Sequence, residues 1–113
     1  MNENGGLNKE LWILKLGKKP AEWYKPAIKG KGPSGRFNFT MNFYEDGNFV
    51  ILYGGRNDSE LDNFALSDIW LLELSNLEWI CARINFNNTN YKVYSRCGHS
   101  AIIHGTVYFL IKL

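Results

Sequence analysis

The sequence contains an internal repeat. Residues 11–16 read Leu-Trp-Ile-Leu-Lys-Leu and return 58 residues later, at 69–74, as Ile-Trp-Leu-Leu-Glu-Leu. A second tryptophan follows each copy, Trp23 in the first and Trp79 in the second. Self-similarity at a period of this length is typical of folds assembled from repeated supersecondary units. The repeat therefore predicts a scaffold whose function lies on the surface that its units display.

Two further apolar runs repeat in nearly the same register. Each follows an arginine and a turn glycine; the runs are residues 49–53 after Arg36 and Gly47, and residues 107–111 after Arg96 and Gly105. The copies are offset by 60 residues at the arginines and by 58 at the glycines. This difference predicts that the first hairpin is two residues longer than the second, with Glu45 and Asp46 as the extra residues.

The type of apolar run predicts strands. Residues 49–53 and 107–111 are aromatic and branched without polar alternation, which is typical of strands covered on both faces. A helix over 61–74 is an alternative, because apolar residues there recur at helical spacing. The matching stretch before Trp12 contains Gly5 and Gly6, which form helices poorly, and copies of a repeat should share one structure. We therefore predict an all-β chain.

The pattern resembles the kelch repeat. In that family an arginine and often a histidine open the first strand, the second strand ends in Gly-Gly, and an aromatic residue and a tryptophan lie in the third and fourth strands. The matching positions here are Arg36, Gly54, Gly55, Trp70 and Trp79 in one complete copy, and Arg96 and His99 in the next. Gly-Gly alone indicates only a hairpin turn. Its spacing of 15 residues to Trp70 and 24 to Trp79 is more specific.

The resemblance implies a partial kelch-type β-propeller of about two blades. Residues 7–27 correspond to the last two strands of one blade, 33–84 to a complete blade and 94–113 to the first two strands of a third, in the order c-d, a-b-c-d, a-b. Phe39 stands where the family has a histidine, and Lys112-Leu113 where a second Gly-Gly is expected. A closed propeller has about four to eight blades. Flanking blades or self-assembly are therefore needed to complete a ring.

The resemblance also implies a protein-binding module. Kelch propellers recognise partners through the loops between the second and third strands and between blades, and such loops vary without disturbing the core. The residues expected to contact a protein partner are Arg56, Asn57, Asp58, Glu60, Asp62, Asn88, Tyr91, Lys29 and Lys31. The acidic residues among them favour a basic segment of that partner. Two alternatives stay open: recruiting or regulatory blades of a larger enzyme, such as a kelch-bearing phosphatase or oxidase, and an architectural subunit of a large assembly.

Catalytic and cofactor-binding patterns are weak. His99 and His104 are five residues apart, so a strand places them on opposite faces. Cys97 and His99 share a face, but two ligands do not make a zinc site, which needs at least three. The sequence has no Gly-rich phosphate loop and no nucleophile elbow. We therefore predict a non-enzymatic chain without a cofactor.

Charge is unevenly distributed, although the formal net charge is only +2. Residues 1–36 carry eight Lys or Arg against three acids, whereas residues 45–78 carry eight acids and one arginine. Lysines near Trp23 and Tyr24 suit nucleic acid, because phosphates attract cations and bases stack on aromatic rings. Solvated lysines at strand edges and turns are the more frequent explanation. We expect no nucleic-acid partner.

The remaining features concern location. No run approaches the roughly 18 apolar residues of a membrane span, and residues 1–6 lack the apolar stretch of a secretory signal. Cys81 and Cys97 fall on different repeats, so we expect reduced, partly buried thiols and not a disulfide. These features predict a cytoplasmic protein with no membrane partner.

Overall fold

The computed structural model describes residues 7–57, 65–83 and 97–111. Within these ranges the regular structure consists of eight β-strands and no helix. The strands are β1 (Ile13–Lys15), β2 (Glu22–Tyr24), β3 (Thr40–Tyr44), β4 (Phe49–Tyr53), β5 (Ile69–Glu73), β6 (Glu78–Cys81), β7 (Ser100–His104) and β8 (Val107–Ile111). The all-β prediction is confirmed. The helical alternative is wrong over 65–74, where β5 lies, and residues 61–64 lie outside the described ranges.

Three antiparallel sheets divide the strands two, four and two, in the orders β1-β2, β3-β4-β5-β6 and β7-β8. In the central sheet every strand pairs with the next one in the chain. Short turns join β3 to β4 and β5 to β6, whereas residues 54–68 connect β4 to β5. The first turn spans residues 45–48, between the paired Tyr44 and Phe49. In the C-terminal hairpin only residues 105–106 lie between the paired His104 and Val107. The predicted two-residue difference between the hairpins is therefore confirmed.

The buried core of the described residues lies in β4 and β5. Leu52 and Leu72 are buried and Tyr53 is fully inaccessible to solvent. The remaining residues of β4 are half-buried, as expected of a strand covered on both faces. The same prediction is wrong for β8, whose residues alternate between exposed and half-buried. One face of the C-terminal hairpin packs on the central sheet, and nothing among the described residues covers the other.

The C-terminal hairpin packs against β3 through polar side chains. Thr40 Oγ1 lies 2.9 Å from His99 Nε2 and 3.2 Å from the Tyr108 hydroxyl, and Asn42 Nδ2 donates to the Ala101 carbonyl oxygen at 3.0 Å. Burial raises the pKa of Tyr108, and the hydrogen bond with Thr40 opposes that rise. His99 is buried in this interface, so it contributes to packing between the two sheets.

The N-terminal part of the chain lies on the other side of the central sheet. Because side chains alternate along a strand, Thr40 and Asn42 face the C-terminal hairpin while Met41 and Phe43 point away from it. Met41, with Leu52, lines a cleft against residues of the N-terminal part. The C-terminal hairpin and the segments that flank β1 and β2 therefore lie against opposite faces of the central sheet.

The four tryptophans differ in burial. Trp70 and Trp79, in the central sheet, are half-buried, whereas Trp12 and Trp23, in the N-terminal part, are exposed. Equivalent positions of the repeat therefore pack only where a neighbouring segment covers them. In the part of the chain that the structure describes, no helix has the length and apolar character needed to cross a membrane.

Candidate partner-binding site

Arg36 lies at the centre of a hydrogen-bonded network in the complete copy of the repeat. Its side chain is 3% exposed and forms a two-pronged ion pair with Asp68, Nη1 to Oδ1 at 2.6 Å and Nη2 to Oδ2 at 2.8 Å. Arg36 Nη1 also donates to the Gly54 carbonyl oxygen at 3.0 Å. Trp70 Nε1 donates to Asp68 Oδ2 at 2.7 Å. The Asp68 carboxylate thus joins two positions of the predicted repeat pattern, Arg36 and Trp70, and Arg36 links a third, Gly54.

Asp68 was not among the residues predicted from the sequence. Partial burial by itself raises the pKa of Asp68, but hydrogen bonds from Arg36 and Trp70 and the charge of Arg36 outweigh burial and hold it below its ordinary value of about 3.9. Since folding lowers this pKa, the ion pair contributes fully to stability above the unfolded-state value. That contribution is lost as the pH falls through the lowered pKa, so the pair is intact at neutral pH.

The first copy of the repeat keeps half of this network. Trp12 Nε1 donates to Glu10 Oε2 at 3.1 Å, as Trp70 does to Asp68. The cation here is Lys25, whose Nζ lies 2.6 Å from Glu10 Oε1, and its hydrogen bond, followed by that of Trp12, lowers the pKa of Glu10. An acidic residue two positions before the tryptophan is thus shared by both copies. That spacing was the sequence signal for Asp68.

Gly54 and Gly55 turn the chain out of β4 and into the first predicted binding loop. Both have a positive φ, 69° and 93°. Immediately afterwards Arg56 exchanges two backbone hydrogen bonds with Phe37, of 2.9 and 3.0 Å, and its guanidinium lies 5.3 Å from the centre of the Phe37 ring. Arg56 and Asn57 are half-buried. Both residues therefore form the base of the loop.

Strand directions place both predicted loops at one end of the central sheet. β4 ends and β5 begins at this end, and Cys81, the last residue of β6, pairs there with Trp70. The connection that follows Asn57 and the one that follows Arg83 therefore leave the sheet at the same end of its strands. The predicted contact residues on these connections lie outside the described residues; they are Asp58, Glu60, Asp62, Asn88 and Tyr91, and Arg96 lies outside them too.

Lys29 lies at the opposite end of the sheet. Its backbone forms a parallel bridge with Glu78, the first residue of β6, and its carbonyl oxygen accepts a hydrogen bond of 3.0 Å from Trp79 N. The chain then runs beside β6 towards the loop end, with Lys31 exposed. Gly32 lies so close to the Trp79 indole that a Cβ there would be 2.8 Å from Cδ1. Lys29 and Arg56 therefore do not belong to one cluster.

A cleft of about 380 Å³ separates this segment and the N-terminal residues from the central sheet. Its apolar lining includes Phe39, Met41, Leu52 and Trp79 from the central sheet and the residue just before it. Charged residues also line it: Lys9, Glu10, Lys25, Lys31 and Arg36. Lys31 is thus a predicted contact residue that borders an apolar groove. The cleft therefore combines an apolar lining, suited to an apolar side chain of a partner, with charged side chains of both signs.

The two cysteines of the described ranges are free thiols that differ in exposure. Cys81 is exposed and Cys97 is half-buried, and neither forms a disulfide. The expectation of partly buried thiols is therefore wrong for Cys81, which ends a strand at the sheet edge. No three His, Cys, Asp or Glu side chains of the described residues are grouped closely enough to hold a metal ion.

The eight strands and the acid–tryptophan hydrogen bond that recurs in two copies of the repeat show the class of protein. The chain is an all-β protein in which similar strand units recur. No family model matches the chain, and no solved structure is significantly similar to it. Dynein regulatory complex subunit 7 of Chlamydomonas reinhardtii is 25% identical to it over 79 residues. This match covers 70% of the chain but only 6% of that subunit, so the chain corresponds to a small part of this curated relative. The kelch resemblance stays a prediction.

Proposed function

We propose that this chain is part of a kelch-type β-propeller that binds a protein partner through the loops at one end of its central sheet. The observation that carries the proposal is that the two connections, after Asn57 and after Arg83, leave the central sheet at the same end of its strands. Segments on a well-ordered scaffold can form a binding surface without contributing to the core. The bridge between Phe37 and Arg56 and the ion pair between Arg36 and Asp68 hold the two ends of the first of these connections in place.

The chemistry of the first connection points to a cationic partner segment. Asp58, Glu60 and Asp62 lie within five residues of one another, and clustered carboxylates attract a complementary positive patch and speed its association. Arg56 is half-buried against Phe37. We therefore expect it to stabilise the base of the loop and to contribute less to the contact with the partner. We therefore assign the main electrostatic contribution to the three acids.

The test compares the acidic residues of the connection that follows Asn57 with two acidic residues of the turn between β3 and β4. The loop variant carries Asp58→Ser, Glu60→Ser and Asp62→Ser; the control carries Glu45→Ser and Asp46→Ser in the exposed 45–48 turn. We expect the loop variant to capture several-fold less of the proteins that the wild-type chain captures from cell lysate, measured by quantitative mass spectrometry, because it lacks the attracting charge. The control should capture them normally.

Both variants should unfold at the wild-type urea concentration. Glu45 and Asp46 are exposed, and substitutions at such positions rarely change stability by more than about 0.5 kcal/mol; the residues of a binding loop do not contribute to the core. Equal capture by the loop variant and the wild-type chain would contradict the assignment of the binding site. Equal losses in the loop variant and in the control would show a general charge effect.

An architectural role is the second candidate. The observation in its favour is the partial similarity to a subunit of the dynein regulatory complex, whose name describes a component of an assembly. Recognition through acidic loops should weaken as salt screens the charges. A stoichiometric set of proteins that stays bound at about 1 M salt, where the screening length is about 3 Å, would favour the architectural role.

A further inference from the structure

We infer that copies of this chain join by β-strand addition, with β8 of one copy pairing antiparallel with β1 of another. The product is a composite sheet in the order β7-β8-β1-β2, equivalent to the central sheet β3-β4-β5-β6. This interface uses the outer sheets and not the loops at 58–62, so it goes beyond the proposed partner binding and can fail independently of it.

The two outer sheets have the properties of separated halves. Each has two strands in the described residues, and an isolated two-stranded sheet is marginally stable in water. Each also exposes large apolar side chains: Trp12 is 50% and Trp23 65% exposed in one sheet, and Phe109 is 48% and Ile111 51% exposed in the other. Pairing of the two sheets through their edge strands would stabilise both, and packing of their exposed faces would bury the apolar side chains.

The internal repeat specifies which strands join and in which register. In the central sheet Ile51 of β4 pairs with Leu71 of β5. The 58-residue offset relates Ile51 to Phe109 and relates Leu71 to Ile13. The composite sheet therefore pairs Phe109 with Ile13, and by the same offset Leu110 with Trp12, because the latter pair corresponds to Leu52 and Trp70.

The N-terminal sheet already has the local structure of the third-strand position. The hydrogen bond from Trp12 to Glu10 repeats the one from Trp70 to Asp68. In the central sheet this carboxylate accepts a guanidinium that precedes the first strand of the same sheet. In the N-terminal sheet the side chain of Glu10 is 42% exposed, and its cationic partner is the surface residue Lys25. The carboxylate is therefore accessible from solvent.

In an assembly of this chain alone, the strand that pairs with β1 comes from a second copy, because one chain cannot bring its own two outer sheets together. The C-terminal hairpin packs on the face of β3 that carries Thr40 and Asn42. The N-terminal residues line the cleft on the opposite face, with Met41. Pairing is therefore head-to-tail, which produces rings where the rotation closes and open filaments where it does not.

Disulfide trapping tests the register directly. The hydrogen bonds Leu74 N to Asn48 O and Gly54 N to Asp68 O mark alternate pairs of the β4–β5 ladder, so Ile51 and Leu71 form a pair that is not hydrogen-bonded. In such pairs the Cα atoms are about 4.5 Å apart, within the range of a disulfide. The equivalent Phe109 and Ile13 are therefore the residues to replace.

The experiment uses the 113-residue chain carrying Cys81→Ser and Cys97→Ser, in two separately tagged versions. One version also carries Ile13→Cys and the other Phe109→Cys. After mixing and mild oxidation we expect most of the protein to form a disulfide between the two tags. The register control replaces Ile13→Cys by Leu14→Cys, which a one-residue shift places on the other face of the sheet, and we expect at least roughly tenfold less disulfide.

Hydrogen exchange on the unmodified chain provides a readout free of substitutions. We expect exchange in β1 and β8 to slow together as the protein concentration rises, while β4 and β5 exchange at an unchanged rate, because paired edge amides are protected. Equal disulfide yields in the two registers, or concentration-independent exchange in β1 and β8, would overturn the proposal. The loop variant at 58–62 should still form the disulfide, which separates this test from that of partner binding.

Discussion

Replacing Arg36 with alanine is expected to lower the free energy of unfolding by about 3 kcal/mol, measured by urea denaturation followed through tryptophan fluorescence. Removal of one member of a buried ion pair costs about 3 to 5 kcal/mol, because the other charge is left without its partner. We expect a loss at the lower end of this range, because the side chain of Asp68 is 35% exposed and water can partly replace the guanidinium. The loss includes the hydrogen bond to the Gly54 carbonyl oxygen.

A matched control for Arg36→Ala is available in the exposed ion pair between Lys18 and Glu22. Lys18→Ala should cost no more than about 1 kcal/mol, because water and salt screen an exposed pair and ordering its two long side chains costs conformational entropy. Arg36→Lys should fall between the two, since an ammonium cannot form the two-pronged pair. If Arg36→Ala were no more destabilising than Lys18→Ala, the network around Asp68 would not be the structural centre of the repeat.

Replacing Gly55 with valine is expected to prevent folding of the central sheet, seen as loss of cooperative unfolding and of amide dispersion in NMR spectra. Two costs combine at this position. With φ at 93°, a branched side chain is strained. A Cβ would also lie 2.8 Å from the Phe37 carbonyl oxygen and 2.9 Å from Phe39 Cβ. The backbone of Phe37 cannot move away without breaking its pairing with Arg56.

Two other glycines separate these costs. Gly105 has a φ of 60°, but no atom lies within 4 Å of the position that a Cβ would occupy, so Gly105→Val reports the backbone strain alone. Gly17 has neither a positive φ nor a neighbour within that distance, so Gly17→Val should be nearly neutral. We expect the destabilisation to rise in the order Gly17, Gly105, Gly55. A Gly55 variant as stable as the Gly17 variant would show that the Gly-Gly turn is wrongly assigned.

Local features of this fold were predictable from the sequence. The repeat indicated which apolar runs are strands, and the unequal offsets indicated that the turn at 45–48 is longer than the one at 105–106. Both features depend on residues close together in the chain. The alternation of turn residues with apolar runs therefore sufficed to predict them.

The contacts that form the candidate site were harder to predict from the sequence. Arg36 and Asp68 are 32 residues apart, and the only signal for their pairing was an acid two positions before the tryptophan in both copies. The exposure of β8 depends on which other segments pack against it. The amino-acid composition of the strand does not contain that information. The separation of Lys29 from Arg56 arises because the segment after β2 runs along β6, and this path has no sequence pattern of its own.

The mass of the purified 113-residue chain in solution tests the central claim that its outer hairpins are halves of one sheet. Size-exclusion chromatography with multi-angle light scattering should give a species well above the 13.0 kDa of one chain. If the ring closes, the expected mass corresponds to about two to four chains, since a propeller has about four to eight blades and each chain supplies two. A 13.0 kDa monomer that persists over a concentration series, with dispersed amide signals, would contradict the account.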